Sequence, residues 1–151
     1  MTLFHLAQLN IAHAKYDMDS EGMADFVAKL DEINQLAEGS PGFVWRLQDE
    51  DGDATSINAF DDPRMLVNMS VWRDQQSLFD YVYQSAHTNI MTRRKQWFEH
   101  IRDAYHVLWW IDAATIPTIE EAKLRLDSLR SNGPSAFAFN FKNPYPQPLA
   151  A

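Results

Sequence analysis

Two hydrophobic periods follow one another along this chain in an order that few folds accommodate. Residues 65–73 alternate cleanly, with Met65, Val67, Met69 and Val71 on one face and Leu66, Asn68, Ser70 and Trp72 on the other. A period of two places successive side chains on opposite sides of a strand. Leu3 to Ala12 alternates more loosely, with Leu3, Ala7, Leu9 and Ile11 against Leu6, Gln8 and Asn10. Between these segments Met23, Phe26, Val27, Leu30, Ile33 and Ala37 recur at helical spacing. Asp19 and Ser20 are the expected N-cap of that helix, and Gly39-Ser40-Pro41-Gly42 stops it. Phe43 to Gln48 reads as a second strand, and Asp49 to Asp62 as an Asp- and Gly-rich loop. Asp74 is expected to cap a helix through Leu78, Tyr81 and Val82, and a second helical stretch is predicted from Ser85 to Ile101. Tyr105 to Ile111 closes the series as a short, bulky fourth strand.

The resulting order, β-α-β-β-α-β, is the ferredoxin-like arrangement: an α+β fold whose antiparallel strands carry two helices on one face. An appendix follows. Thr118 and Glu121 make a capping box, Ala122, Leu126 and Leu129 give the helix an apolar side, and Asn132-Gly133-Pro134 ends it. Ala136 to Phe141 has the composition of a short strand. Residues 1–141 are thus expected to form a single domain, and 142–151 an extended proline-rich tail. Helices on one face leave the other face of the sheet bare. Large apolar side chains there call for a second sheet, so a homodimer is expected. Trp109 and Trp110 are adjacent, so on a strand one of them must leave the helix-packed side.

Composition narrows the function. The chain has 151 residues and a formal charge of -8, from 13 Lys and Arg against 21 Asp and Glu. That excess argues against nucleic-acid partners, which need clustered cations, and against anionic membrane surfaces. No apolar run is long enough to span a bilayer. The start of the chain lacks the basic stretch of a signal peptide, so a cytoplasmic location is the expectation. With no cysteine, disulfides, thiolate metal sites and thiol catalysis are excluded. No phosphate loop, HExxH, GxSxG or calcium loop is present.

The segment from Ser85 to Ile101 is the richest in chemistry. As a helix, one side of it carries His87, Ile90, Met91, Arg94, Trp97, Phe98 and Ile101. A guanidinium on an apolar stripe needs a partner. Three readings fit Arg94: an internal ion pair, an anchor for an anionic or polar oxygen in a pocket, or a side chain reaching past the helix rim to water. His87 reads as a buried neutral histidine, as a general acid–base with an ordinary pKa of about 6.5, or as a haem ligand. Alternation alone leaves open which face of the sheet meets the helices. If the face of Asn68 and Trp72 does, those residues share a space with His87 and Arg94, and Gln8 and Asn10 sit comparably on the first strand. Their alternative role is structural, as buried amides satisfying backbone groups.

The stretch from Ser70 to His87, SVWRDQQSLFDYVYQSAH, resembles the third strand and following helix of antibiotic-biosynthesis-monooxygenase-like domains. Over nearly its whole length the chain looks like a related family of unassigned function. The matching pieces are HLAQLNIA, SPGFVWRLQ, LVNMSVW, YQSAH, RRKQWFE, VLWWI and IPTIEEA. The resemblance implies a dimeric α+β barrel with a pocket between sheet and helices in each half. Some such domains oxidise polycyclic phenols with dioxygen and neither metal nor flavin; others bind haem, isomerise lactones or have no known reaction. It therefore implies a cofactor-independent oxygenase acting on a small aromatic substrate, with no cofactor of its own. Asn68, His87 and Arg94 would be the catalytic groups that hold and polarise a substrate oxygen. Asn10, Trp72, Tyr81, Met91 and Trp97 would line the pocket. The alternatives are a non-catalytic, small-ligand-binding or stress-related dimer using the same pocket, and haem binding through His87.

Overall fold

A computed structural model describes residues 4–17, 19–48, 60, 62, 64–84 and 94–148, with the side chains of Gln84 and Arg94 outside that description. His87 and Met91 fall outside it as well. So does most of the loop expected over Asp49 to Asp62.

The longest strand, β1 (Phe4–Ala14), is the central one. On one side it pairs antiparallel with β3 (Met65–Trp72), which in turn pairs with β2 (Phe43–Arg46). On the other side it pairs antiparallel with β5 (His106–Asp112), and beyond that, at His13 and Ala14, with the two-residue β4 (Phe98–Glu99). The order β2-β3-β1-β5 is the ferredoxin-like sheet that the alternation of periods predicts. Helix α1 (Ala24–Glu38) joins β1 to β2, and α2 (Gln75–Gln84) joins β3 to the segment before β4. Asp74 caps α2 as expected, its Oδ1 accepting from the Ser77 amide at 2.8 Å. Ser20 does not cap α1. A 3₁₀ turn, Glu21–Met23, comes first, and the Ser20 hydroxyl donates instead to the Asp17 carbonyl. Between α1 and β2, Gly42 adopts a φ of 84°, and a Cβ there would collide with Ser77.

The two sheet faces have different covers. Ala7, Leu9, Ile11, Val67, Met69, Val71, Val107, Trp109 and Ile111 share one face. The C-terminal helix α3 (Ile119–Asn132) lies against it through Ala122, Leu126 and Leu129. Its start is fixed by the expected capping box, with Thr118 Oγ1 accepting from the Glu121 amide at 3.1 Å. Its end is fixed by Gly133 at a φ of 76°. This is a correction to the bare face on which the expectation of pairing rested. Every one of those nine sheet residues is at most 7 % exposed in the single chain. The amphipathic helix supplies the apolar cover that the sequence argument assigned to a second sheet.

The opposite face meets α1 and α2. Leu6, Trp72, Leu78, Leu108 and Phe139 form its dry end. Trp109 and Trp110 do point to opposite faces. Trp110 Nε1 donates to the Tyr145 carbonyl at 3.0 Å, so residues of the proline-rich segment pack on the domain. The expected short strand over Ala136 to Phe141 is realised as one antiparallel bridge. Leu108 and Phe139 exchange two backbone hydrogen bonds of 2.8 and 2.9 Å at the outer edge of β5.

The helix expected through Ile101 ends early. Arg94–Trp97 makes one helical turn, and Phe98–Glu99 is already strand. The cause is tertiary. β1 outruns β5 and leaves His13 and Ala14 free to pair with Phe98 and Glu99. That pairing seats Trp97 and Phe98 beside Phe26, Ala14, Met23 and Leu66. Among the described residues, no helix is long and apolar enough to cross a membrane.

Candidate functional site

The helix-covered face changes character halfway along the strands. At one end it is apolar, with Leu6 between Trp72 and Trp110. Two residues on, Gln8 lies between Ser70 and Leu108; two further, Asn10 lies between Asn68 and His106. Strand alternation thus sets five polar side chains, from three neighbouring strands, on one patch of the sheet.

Gln8 is the hub of that patch and is 5 % exposed. Its Nε2 donates to Asn68 Oδ1 at 2.7 Å and to Ser70 Oγ at 2.8 Å. Its Oε1 lies 3.1 Å from His106 Nε2, which makes that ring nitrogen the donor and leaves the lone pair on Nδ1. Ser70 Oγ also accepts from Trp72 Nε1 at 2.8 Å. Burying Gln8 and Ser70 is tolerable because their polar atoms are satisfied by Asn68, His106 and Trp72. Asn68 is held by its carbonyl oxygen, so its N–H₂ group points away from Gln8. Among the described residues no partner takes those N–H groups.

Over this floor is a cavity of about 480 Å³. Gln8, Asn10, Asn68, Ser70 and His106 form its polar side; Phe26, Ile33, Leu78, Tyr81, Tyr105 and Phe141 are among its apolar and aromatic walls. A volume of that size fits a small multi-ring ligand. Tyr81 stacks on Trp72 with ring centres 5.0 Å apart, and its hydroxyl reaches the Ile33 carbonyl at 3.4 Å, tying α2 to α1. Burial pushes the Tyr81 phenol up to about 12, so it stays protonated. The His106 ring is half-buried and lies 5.2 Å from the Phe141 ring. Removal from water pushes its pKa down to about 4, so the ring is neutral near pH 7. Among the described residues, no three His, Cys, Asp or Glu side chains gather at metal-binding distance.

That pKa has a measurable consequence. Between about pH 4 and the ordinary value of 6.5, the folded chain binds fewer protons at His106 than the unfolded chain does. The stabilisation is whole above pH 6.5 and declines as the pH falls toward 4. Allowing for the ring's partial exposure, about 1–2 kcal/mol should be lost across that window. Urea unfolding at a series of pH values should show this slope in the wild type and not in His106→Phe. Equal slopes in the two proteins would mean that another group carries it.

Of the residues expected from sequence, Asn10, Asn68 and Tyr81 meet in the cavity. Trp72 stands behind it, holding Ser70 and stacking on Tyr81. Trp97 is packed beneath Phe26 at 2 % exposure rather than on the cavity wall. His87 and Met91 lie outside the described residues; Arg94 begins the single helical turn. His106 is a cavity residue that the sequence pattern does not mark as one. In the run HVLWWID it shares a face with Leu108 and Trp110, but only the neighbouring of β5 and β1 sets it across from Asn10.

Fold and site together define a small α+β domain with a cavity between an antiparallel sheet and its helices. The chain belongs to the family described as Domain of unknown function (DUF3291), which matches residues 5–151. No curated protein matches it. Among solved structures it is similar to SnoaB, a cofactor-independent oxygenase from Streptomyces nogalater. The identity is 17 %, over 76 % of this chain and 98 % of that one, with a TM-score of 0.48. It is also similar to Rv0793 from Mycobacterium tuberculosis, at 14 % identity over 76 % and 97 % of the two chains and a TM-score of 0.46. A third, NE2512, a protein of unknown function from Nitrosomonas europaea, shares 15 % identity over 77 % and 97 %, with a TM-score of 0.47. Identities this low transfer no residue role.

Proposed function

We propose that the chain is a cofactor-independent oxygenase acting on a small aromatic substrate bound in the cavity between the sheet and α1–α2. The resemblance of its strand and helix segments to monooxygenase-like domains supplies the reaction class. The observation that carries the reading is the geometry of Asn68: an amide pinned through its oxygen at the cavity floor, whose N–H groups meet no partner among the described residues and are available to a substrate oxygen. Donors fixed in advance stabilise an oxygen that gains negative charge, because they need no reorganisation as the charge develops.

The chemistry suited to such a site uses the substrate as its own reductant. A proton leaves an activated ring CH₂ group toward His106 Nδ1, and the resulting carbanion, spread onto the oxygen held by Asn68, gives its electrons to dioxygen. The carbon–oxygen bond forms, the hydroperoxide loses water, and the balance is CH₂ + O₂ → C=O + H₂O. An oxygen electrode with a hydroxylated anthrone tests this. Uptake of one O₂ per substrate above the spontaneous rate is expected, and Asn68→Ala should lower the rate tenfold or more. His87→Phe and Arg94→Met belong in the same assay, as the sequence-based candidates for the same roles. Binding without oxygen uptake would replace the oxygenase reading with that of a ligand-binding protein.

A further inference from the structure

The cavity described above has a charge bias opposite to that of the chain. With 21 acidic residues against 13 basic ones, a wall drawn at random from this sequence would include carboxylates. Among the described residues, the cavity is lined by Lys29 and Lys142 and by no Asp or Glu. The two lysines come from separate parts of the fold, Lys29 half-buried on α1 and Lys142 exposed in the C-terminal segment. Among the described residues neither is held in an ion pair. Among the described residues the remaining polar lining is neutral, and no partner takes the N–H groups of Asn68.

From this we infer that the ligand is an anion: a planar aromatic compound bearing a carboxylate or an equally acidic group. Its ring system would fill the aromatic part of the cavity, and its charge would be met by Lys29 and Lys142. A neutral amide floor does not repel such a group, and a partly desolvated ammonium attracts it more strongly than one in bulk water would. In a chain of net charge -8, this local field also distinguishes the cavity from the surrounding surface. The inference rests on the cavity being the ligand site, as under the proposed function, and adds the chemical class of what it takes.

The test is binding rather than turnover. Hydroxynaphthoate and its neutral amide, hydroxynaphthamide, differ in charge and little in shape. Titrations followed by tryptophan fluorescence at pH 8 and low salt should show the acid binding at least tenfold more tightly. Lys29→Met should remove about tenfold of the acid's affinity and Lys142→Met somewhat less, with the amide unaffected in both. Lys29→Arg should keep the preference. Added salt should shrink the gap between acid and amide, because screening acts on the charge alone. Equal binding of the two probes by the wild type, or lysine variants that weaken both probes alike, would overturn the inference. Failure of both probes to bind would overturn it together with the cavity reading. A clear preference for the acid without oxygen uptake in the earlier assay would sink only the oxygenase.

Discussion

Trp109→Ala is expected to lower the free energy of unfolding by about 3–5 kcal/mol while leaving the molar mass in solution unchanged. Trp109 is fully buried, on the sheet face that α3 covers. Its indole N–H donates to Glu121 Oε1 at 2.8 Å, so the substitution opens a large hole and also strips a partner from a first-turn carboxylate. Removing a buried tryptophan side chain costs about 3–5 kcal/mol, because the walls relax only partly into the space. The second half of the expectation separates two accounts of this face. If the face were closed by a second copy, the truncation would weaken the pairing, and both mass and stability would depend on protein concentration. With α3 of the same chain as the cover, this face adds no dependence on protein concentration to the unfolding. Light scattering of wild type and variant at micromolar concentration, beside urea unfolding at two protein concentrations, reads both. A mass that falls on substitution would restore the face as an interface between copies.

The same face shows where sequence reading stops. The alternation of Met65 to Trp72 reports which residues share a side, and the structure keeps that division. The apolar stripe of α3 was equally legible, down to Ala122, Leu126 and Leu129. What neither pattern contains is the match between them. An amphipathic helix states that it needs an apolar partner, not which one. The segment before β4 fails for a different reason. Trp97 and Phe98 are adjacent and both buried, a pair that fits a helix edge or a strand equally well over so short a run. The pairing of Glu99 and Phe98 with His13 and Ala14 decides it, through contacts far apart in sequence.

The site divides along the same line. Asn10 and Asn68 stand out in the sequence because they put polar groups where alternation calls for apolar ones. They meet in the cavity because β1 and β3 are neighbours, as the β-α-β-β-α-β order implies. His106 opens its strand at the edge of a bulky run and looks like one scattered histidine among several. Its place across from Asn10 depends on β5 lying on the free side of β1. Lys29 and Lys142 are ordinary surface cations in the sequence, and the cavity alone brings them together.

Gln8→Leu is expected to cost about 2–3 kcal/mol of stability and to weaken binding of a cavity ligand about a hundredfold. Leucine fits the volume, so the loss comes from polar groups left without partners rather than from a hole. His106 Nε2 loses its acceptor, and Asn68 Oδ1 and Ser70 Oγ each lose a donor. Ser70 keeps its bond from Trp72, and Asn68 is exposed enough to recruit water. The half-buried imidazole N–H therefore carries the largest share of the cost. An orphaned buried donor costs about 1–3 kcal/mol, and each further bond lost adds about 1 kcal/mol. The binding loss follows from orientation. Without Gln8 the Asn68 amide is free to turn its carbonyl toward the ligand, and His106 is free to move its proton to Nδ1. A double-mutant cycle with His106→Phe isolates this coupling. In that background no N–H is left to orphan, so Gln8→Leu should cost about 1 kcal/mol less than in the wild type. Nitrogen NMR of the imidazole gives the independent reading: one fixed tautomer protonated on Nε2 in the wild type, and a mixture in Gln8→Leu. Strict additivity in the cycle, together with an unchanged tautomer, would remove Gln8 from the centre of the network and leave it a buried amide like any other.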